Sequence, residues 1–350
     1  MAGKYELRRL IGAGAMGAVY EGVHLELGKR LAIKLVHPEF CGSAEVVARF
    51  RREARTASAI ESEHVAQIFD FGSDDELGFY MIIEYVDGED LQARLARERW
   101  IEAREAACIG WQAARGLSRA HAVGVIHRDL KPANVFLTRR DDGSLLAKIL
   151  DFGISKVDQA KWRGGAEQDE GDVGPLTEFG TTLGTPQYMS PEQCQGKTEL
   201  DGRADVWSLC AVLYEMLAGE PAFPDRAGLV GLMQHIVSRD VQPLASRAPW
   251  VPEGIARVVD AGLVRDRDAR IASADALAAR LLEACPEAAA VRSLPEVAHR
   301  TDPSELSPWH GLEPARGDDP PPSSADDHVE MFVRSGDIPV PVARRPPPKT

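Results

Sequence analysis

LIGAGAMGAVYEG, residues 10–22, carries glycines at 12, 14 and 17 in the spacing G-x-G-x-x-G. Two unrelated folds use that spacing. In a dinucleotide-binding fold the glycines follow a strand and open a helix, and an acidic residue about 20 positions later holds the ribose. Here the glycines lead into AVYEGVHL (18–25), which is rich in β-formers. Where the ribose acid belongs the chain reads KLVH (34–37), with Lys34 in its place. The stretch predicts a glycine-bearing turn between two antiparallel strands, and the rest of the chain must decide what it covers.

Working outward, YELRRL (5–10), AVYEGVHL and RLAIKLV (30–36) read as an antiparallel meander. From 43 to 60 the apolar spacing turns helical, with Phe50, Ala54 and Ala57 three and four apart. Two further strands follow, AQIFDFG (66–72) and FYMIIEYV (79–86). After Gly88 helices dominate, at 91–99, 102–124, 205–218, 226–238, 252–264 and 273–284, interrupted by the strand pair NVFLT and LLAKIL around the turn RRDDGS. The expectation is an α+β chain with a β-rich N-lobe at about 5–86 and a mostly helical C-lobe at about 87–284. Residues 285–350 hold 13 of the 23 prolines and predict an extension unable to bury enough apolar surface to fold alone.

Composition removes several classes of function. A net charge of −13 leaves no surplus of cations for general nucleic-acid binding. The five cysteines form no C-x-x-C pair, so neither a zinc site nor a disulfide framework is indicated, and a reducing, cytoplasmic setting is expected. No signal sequence follows Met1. The most apolar segment, VWSLCAVLYEMLAG (206–219), is too short for a bilayer span and contains Glu215, so it reads as a buried core helix.

Four features carry chemistry. Lys34 sits inside the apolar run of the third strand and needs a partner if buried; Glu53, on the inward side of the 43–60 helix, is the best-spaced candidate. VIHRDLKPANVF (125–136) sets Asp129, Lys131 and Asn134 in one loop, ILDFGIS (149–155) adds Asp151, and SPE closes the series at 190–192. Each motif alone is weak. Their order, from G-x-G-x-x-G-x-V through AIK, a helical Glu, HRDLKPAN, DFG and SPE, is that of protein kinases.

Over residues 5–284 the chain therefore resembles the eukaryotic-type, or Hanks-type, bacterial Ser/Thr protein kinases. The resemblance implies the bilobal kinase fold, with ATP and Mg2+ or Mn2+ as cofactors and proteins as substrates. It implies that Gly12, Gly14 and Gly17 roof the phosphates, that Ile11, Val19 and Ala32 cover the adenine, and that Phe136 floors it. Ile83 falls at the gatekeeper position, with Glu84 and Val86 supplying backbone hydrogen bonds to the base. Lys34 would hold the α- and β-phosphates, braced by Glu53; Asn134 and Asp151 would hold the metal; Asp129 would accept the substrate proton while Lys131 stabilises the transferring group. Thr185, Glu192, Asp205 and Arg270 would be structural, with Glu192 pairing Arg270 and Asp205 bracing the catalytic loop.

Lys131, two residues after Asp129, points to serine and threonine as acceptors. Arg128 beside Asp129 marks kinases whose catalytic loop is steadied by a phosphorylated activation segment, with Lys156 as a second cation and Thr177, Thr181 and Thr182 as candidate phosphosites. Autophosphorylation in trans implies self-association. Two departures from the pattern stand out: Ser190 replaces the usual Ala before Pro-Glu, and Cys210 stands where glycine is common. A scaffold that has lost catalysis would lack one of Lys34, Asp129, Asn134 or Asp151. All four are present.

Overall fold

Alternation of apolar and polar side chains builds the first layer. A computed structural model describes residues 1, 3–14, 17–36, 44–74, 77–152, 186–224 and 228–289, all within the first of the two units into which the chain divides, Met1–His299. Strands β1 (Tyr5–Gly14), β2 (Gly17–His24), β3 (Arg30–Val36), β4 (Ile68–Asp74) and β5 (Gly78–Glu84) form an antiparallel sheet in the order β1-β2-β3-β5-β4. Successive side chains on a strand point to opposite faces. Leu31, Ile33, Tyr80 and Ile82, joined by Tyr5, bury one face as a small core. On the other face Lys34 aligns with Val19 and Met81, and Ala32 with Glu21 and Ile83. Helix α1 (Ala44–Ser58) packs against β4 and buries Ala54 and Ala57.

The second lobe is built around helices. After the short strand β6 (Glu89–Asp90) come α2 (Leu91–Glu98) and α3 (Ala103–Ala122), then β7 (Val135–Arg139) and β8 (Leu145–Ile149), which pair with β6 in a second sheet of order β6-β7-β8. Next come α4 (Pro191–Cys194), α5 (Arg203–Ala218), α6 (Gly228–Ser238), α7 (Leu244–Arg247), α8 (Glu253–Gly262) and α9 (Ala274–Ala284). Asp90 caps α2 by accepting from the Ala93 amide at 2.8 Å, and Ser273 caps α9 by accepting from Ala276 at 3.1 Å. Helix α5 is apolar nearly all round and buried along most of its length, Trp207 included, and it ends at Gly219 with φ 77°. The bilobal architecture expected from the sequence is therefore present: an antiparallel sheet with one helix, then a helical lobe.

The differences are local. β1 continues beyond Leu10 to Gly14 because the hairpin stays paired through Gly14 opposite Gly17. β6, α4 and α7 lie outside the elements expected from the sequence, since two or four residues are too few to show a period.

Cys210 has a specific counterpart. It is fully buried on α5, and a Cβ added at Gly262 of α8 would fall on its Sγ. The cysteine fills the space left by that glycine. Gly262→Ala should cost about 1–3 kcal/mol through overpacking. In a Cys210→Gly background the same alanine meets only Ile271 Cδ1, at an ordinary contact distance of 3.9 Å, and gains helix propensity, so the two changes should couple favourably by at least about 1 kcal/mol. Urea unfolding of the four chains of this cycle measures the coupling, and additive costs would contradict the packing.

Candidate active site

The glycine hairpin lies over one edge of the sheet. Gly17 is demanded by the neighbouring strand, because a Cβ there would fall on the Leu35 carbonyl oxygen of β3. Gly12 opens onto free space, and Ile11 beside it is 42% exposed. Val19, Ala32, Lys34 and Ile83 share the sheet face opposite the small core, through the register given above. Phe136 on β7 pairs with Asp90 and Lys148, and its ring edge lies 3.3 Å from where a Cβ on Gly88 would stand. Glu84 ends β5; its amide donates to the Gln67 carbonyl at 2.8 Å and its carboxylate pairs with Lys148 at 2.9 Å. Val86 follows, partly exposed.

The loop around Asp129 hangs from α5. Asp205, fully buried, accepts from the His127 amide through Oδ2 and from the Arg128 amide through Oδ1, both at 2.8 Å, and its Oδ2 also meets His121 Nε2 at 2.7 Å. A buried carboxylate with three partners is a strong anchor, since desolvation raises the cost of leaving any lone pair unused. His127 is a strut: its Nε2 lies 2.9 Å from the Leu150 carbonyl, which can only accept, so the proton sits on Nε2. Nδ1 is then free to accept the Asp129 amide at 3.2 Å. Nothing local in the sequence marks His121 beyond its place in the last turn of α3, six residues before the loop.

From this loop a continuous chain of contacts crosses the cleft. Lys131 Nζ donates to Asp129 Oδ2 at 3.1 Å, and Asn134 Nδ2 donates to the Asp129 carbonyl at 2.8 Å. The Leu150 amide donates to the Asn134 carbonyl at 2.9 Å, and Asp151 Oδ1 meets Lys34 Nζ at 2.8 Å. Lys34 thus reaches across to Asp151, whereas sequence spacing pointed to Glu53, which lies half-buried on α1. Burial pushes the Asp151 carboxyl up, but the Lys34 charge and hydrogen bond hold it below the usual carboxylate range. Asp151 is therefore an anion at neutral pH. Arg128 and Asp151 both adopt left-handed backbone, φ 62° and 52°, which non-glycine residues seldom hold without external support.

Below the loop, Arg270 and Glu192 form a buried bidentate pair at 2.8 and 3.0 Å. Arg128 presents an exposed guanidinium that makes no ion pair among the described residues. Gly153, Lys156, Thr177, Thr181, Thr182 and Thr185 lie outside the described residues, as does the chain beyond residue 289. No helix among the described residues is long and apolar enough to cross a membrane.

Known proteins match this arrangement. The family profile described as a protein kinase domain matches residues 5–282. Serine/threonine-protein kinase Pkn1 of Myxococcus xanthus is 33% identical over 337 residues, covering 96% of this chain and 45% of the relative. PknA of Mycobacterium tuberculosis is 34% identical over 287 residues, covering 80% of this chain and 62% of PknA. Among solved structures, the M. tuberculosis PknI kinase domain superposes with a TM-score of 0.60 at 26% identity, covering 82% of this chain and 96% of that domain. The chain thus spans about half to two thirds of the length of these curated relatives.

Proposed function

We propose an activity from a premise the matches establish, that this chain belongs to the protein kinase family: it transfers the γ-phosphoryl group of ATP to serine and threonine hydroxyls of protein substrates. The observation that carries the reading is the unbroken contact chain from Lys34 through Asp151, Leu150 and Asn134 to Asp129 and Lys131, which joins both lobes at one cleft. Phosphoryl transfer needs little covalent chemistry from a protein and much positioning of charge. This cleft offers two ion pairs, Lys34–Asp151 and Lys131–Asp129, and the Asn134 amide, linked to one another through backbone hydrogen bonds.

In this reading Val19, Ala32, Ile83 and Phe136 enclose the adenine, with Ile11 at its rim and backbone groups of Glu84 and Val86 at its edge. Gly12, Gly14 and Gly17 carry the hairpin over the phosphates, and Lys34 moves from Asp151 to the α- and β-phosphates, braced by Glu53. Asp129 orients the acceptor hydroxyl and takes its proton. Lys131, already beside Asp129, neutralises charge on the transferring group. Asn134 commits its Nδ2 to the Asp129 carbonyl, which turns its oxygen away from that bond; with the anionic Asp151 this makes a hard-oxygen donor set of the kind Mg2+ or Mn2+ prefers. A bound divalent ion would supply charge neutralisation of the phosphates there.

Regulation follows from Arg128. Its exposed guanidinium adjoins the catalytic aspartate and suits a phosphate on Thr177, Thr181 or Thr182, with Lys156 assisting and Thr185 reaching the catalytic loop. Copies of the chain phosphorylating one another would deliver that group, in a cytoplasmic setting.

Incubating the purified chain with γ-labelled ATP and Mg2+ tests the activity. Label recovered on phosphothreonine or phosphoserine is expected, and mass spectrometry should find it on at least one of Thr177, Thr181 and Thr182. Absence of transfer to the chain itself and to a generic protein substrate would sink the reading; active enzyme unmodified at all three threonines would sink the regulatory part alone.

A further inference from the structure

The side chain of Gln193 spans two places the proposed reaction depends on. It lies at the third position of α4, where Ser190, fully buried, is the N-cap. The Gln193 amide N–H donates to Ser190 Oγ at 3.4 Å and its Oε1 accepts from the Ser190 amide at 3.0 Å, a reciprocal cap. That uses one end of the carboxamide. The other end, Nε2, donates to the Arg128 carbonyl at 2.7 Å, 65 positions away in the chain.

Arg128 is the residue that needs holding. Its left-handed φ of 62° is unfavourable for an L side chain and persists only where neighbours fix both flanking peptides. Asp205 Oδ1 fixes its N–H at 2.8 Å, and Gln193 fixes its C=O. The carbonyl of Arg128 belongs to the peptide plane whose nitrogen is Asp129, so pinning that oxygen pins the plane from which the Asp129 side chain projects. Gln193 itself is offered from a rigid base, because the preceding residue, Glu192, is locked to Arg270.

We propose that Gln193 is a positioning residue for phosphoryl transfer, coupling the Ser190–Cys194 turn to the orientation of Asp129. The inference rests on the kinase reading above. It also accounts for Ser190, one of the two departures noted in the sequence: a serine there supplies the capping hydroxyl that holds the Gln193 backbone, which an alanine lacks.

The chemistry of the two amide ends separates this role from simple capping. Glutamate caps as well as glutamine, since only an acceptor is needed toward the Ser190 amide, but it offers a carboxylate to the Arg128 carbonyl in place of a donor. Lysine does the reverse. It loses the acceptor and keeps a donor long enough to reach the carbonyl.

The test measures kcat, KM for ATP and melting temperature for the full-length wild type, Gln193→Glu and Gln193→Lys, with γ-labelled ATP and a generic protein substrate. Gln193→Glu should keep its melting temperature within about 3 °C and its KM for ATP within about threefold, while kcat falls about 10- to 100-fold, the scale of a small misplacement of a reacting group. Gln193→Lys should melt lower and yet recover at least about a third of the wild-type kcat. A Gln193→Glu enzyme with kcat within about twofold of wild type overturns the proposal, and so does a Gln193→Lys enzyme as slow as Gln193→Glu or a loss that tracks melting temperature. Should the wild type transfer no phosphate, the kinase reading itself fails; should it transfer and Gln193→Glu match it, only the role of Gln193 does.

Discussion

Asp129→Asn should lower kcat by about 10²- to 10⁴-fold while leaving nucleotide affinity within about threefold and the melting temperature close to wild type. Asparagine has the shape of aspartate but cannot accept the proton of an acceptor hydroxyl, so the loss falls on the chemical step. The backbone bonds that shape the loop survive. The Asp129 amide still donates to His127 Nδ1, and its carbonyl still accepts from Asn134. The side chain is about a quarter exposed and that of Lys131, with which it forms an ion pair, is similarly open to solvent, so losing that pair costs little stability. Steady-state kinetics with labelled ATP, beside displacement of a fluorescent nucleotide, separates these effects. A decrease of less than tenfold would remove Asp129 from the role of base.

The largest effect on stability is expected at Arg270. Its guanidinium is fully enclosed and every donor is used: Nη1 to Glu192 Oε1 and the Arg203 carbonyl at 2.8 Å, Nη2 to Glu192 Oε2 at 3.0 Å and the Arg265 carbonyl at 3.3 Å, and Nε to the Val264 carbonyl at 3.0 Å. The group also lies 5.0 Å over the Trp207 ring. Arg270→Met should destabilise the chain by about 3–5 kcal/mol, because it leaves the Glu192 carboxylate buried without its cation. The melting temperature should fall by on the order of 10 °C. Replacing Glu192 by Met in the same chain should restore part of the loss, since two apolar side chains carry no uncompensated charge.

The pH dependence of that difference has a definite sign. Burial pushes the Glu192 carboxyl up, but the hydrogen bond and charge of Arg270 outweigh it and leave the group below the usual carboxylate range. A carboxyl lowered in the folded chain stabilises above its unfolded pKa of about 4.3 and loses that contribution as pH falls through the folded value. The gap between wild type and Arg270→Met should therefore be widest at neutral pH and narrow in acid. A gap that widens below pH 4 would contradict the ion-pair account.

What could be read from the sequence followed the range of the interactions. Strand alternation and helical spacing are local, so the sheet, α1, α3 and α5 were legible within a few residues of their ends. Asp129, Lys131, Asn134 and Asp151 were legible because one short loop and one turn bring them together. Contacts between distant elements were legible only where the family resemblance supplied them, as for Glu192 with Arg270 and Asp205 with the backbone at His127 and Arg128. Spacing along α1 nominated Glu53 for Lys34, yet the described partner comes from the far lobe, where no periodicity points. His121, Lys148 and Gln193 escaped notice for the same reason: each acts on a backbone or side chain that only the folded chain brings near. The pairing of Cys210 with Gly262 is similar, a departure from pattern on one helix whose complement sits on another.

The two lobes bury very unequal amounts of apolar surface. Among the described residues the sheet's core has five buried side chains, Tyr5, Leu31, Ile33, Tyr80 and Ile82, against a second cluster that runs through α2, α3 and α5 to α9. Local opening follows local burial, so amide hydrogens in β1–β3 exchange through sub-global excursions long before those of α5, whose exchange waits for global unfolding. The half of the cleft that would grip a nucleotide is thus the labile half. A ligand bridging both lobes ties the weak unit to the strong one, and its binding energy appears first as slowed exchange in the sheet.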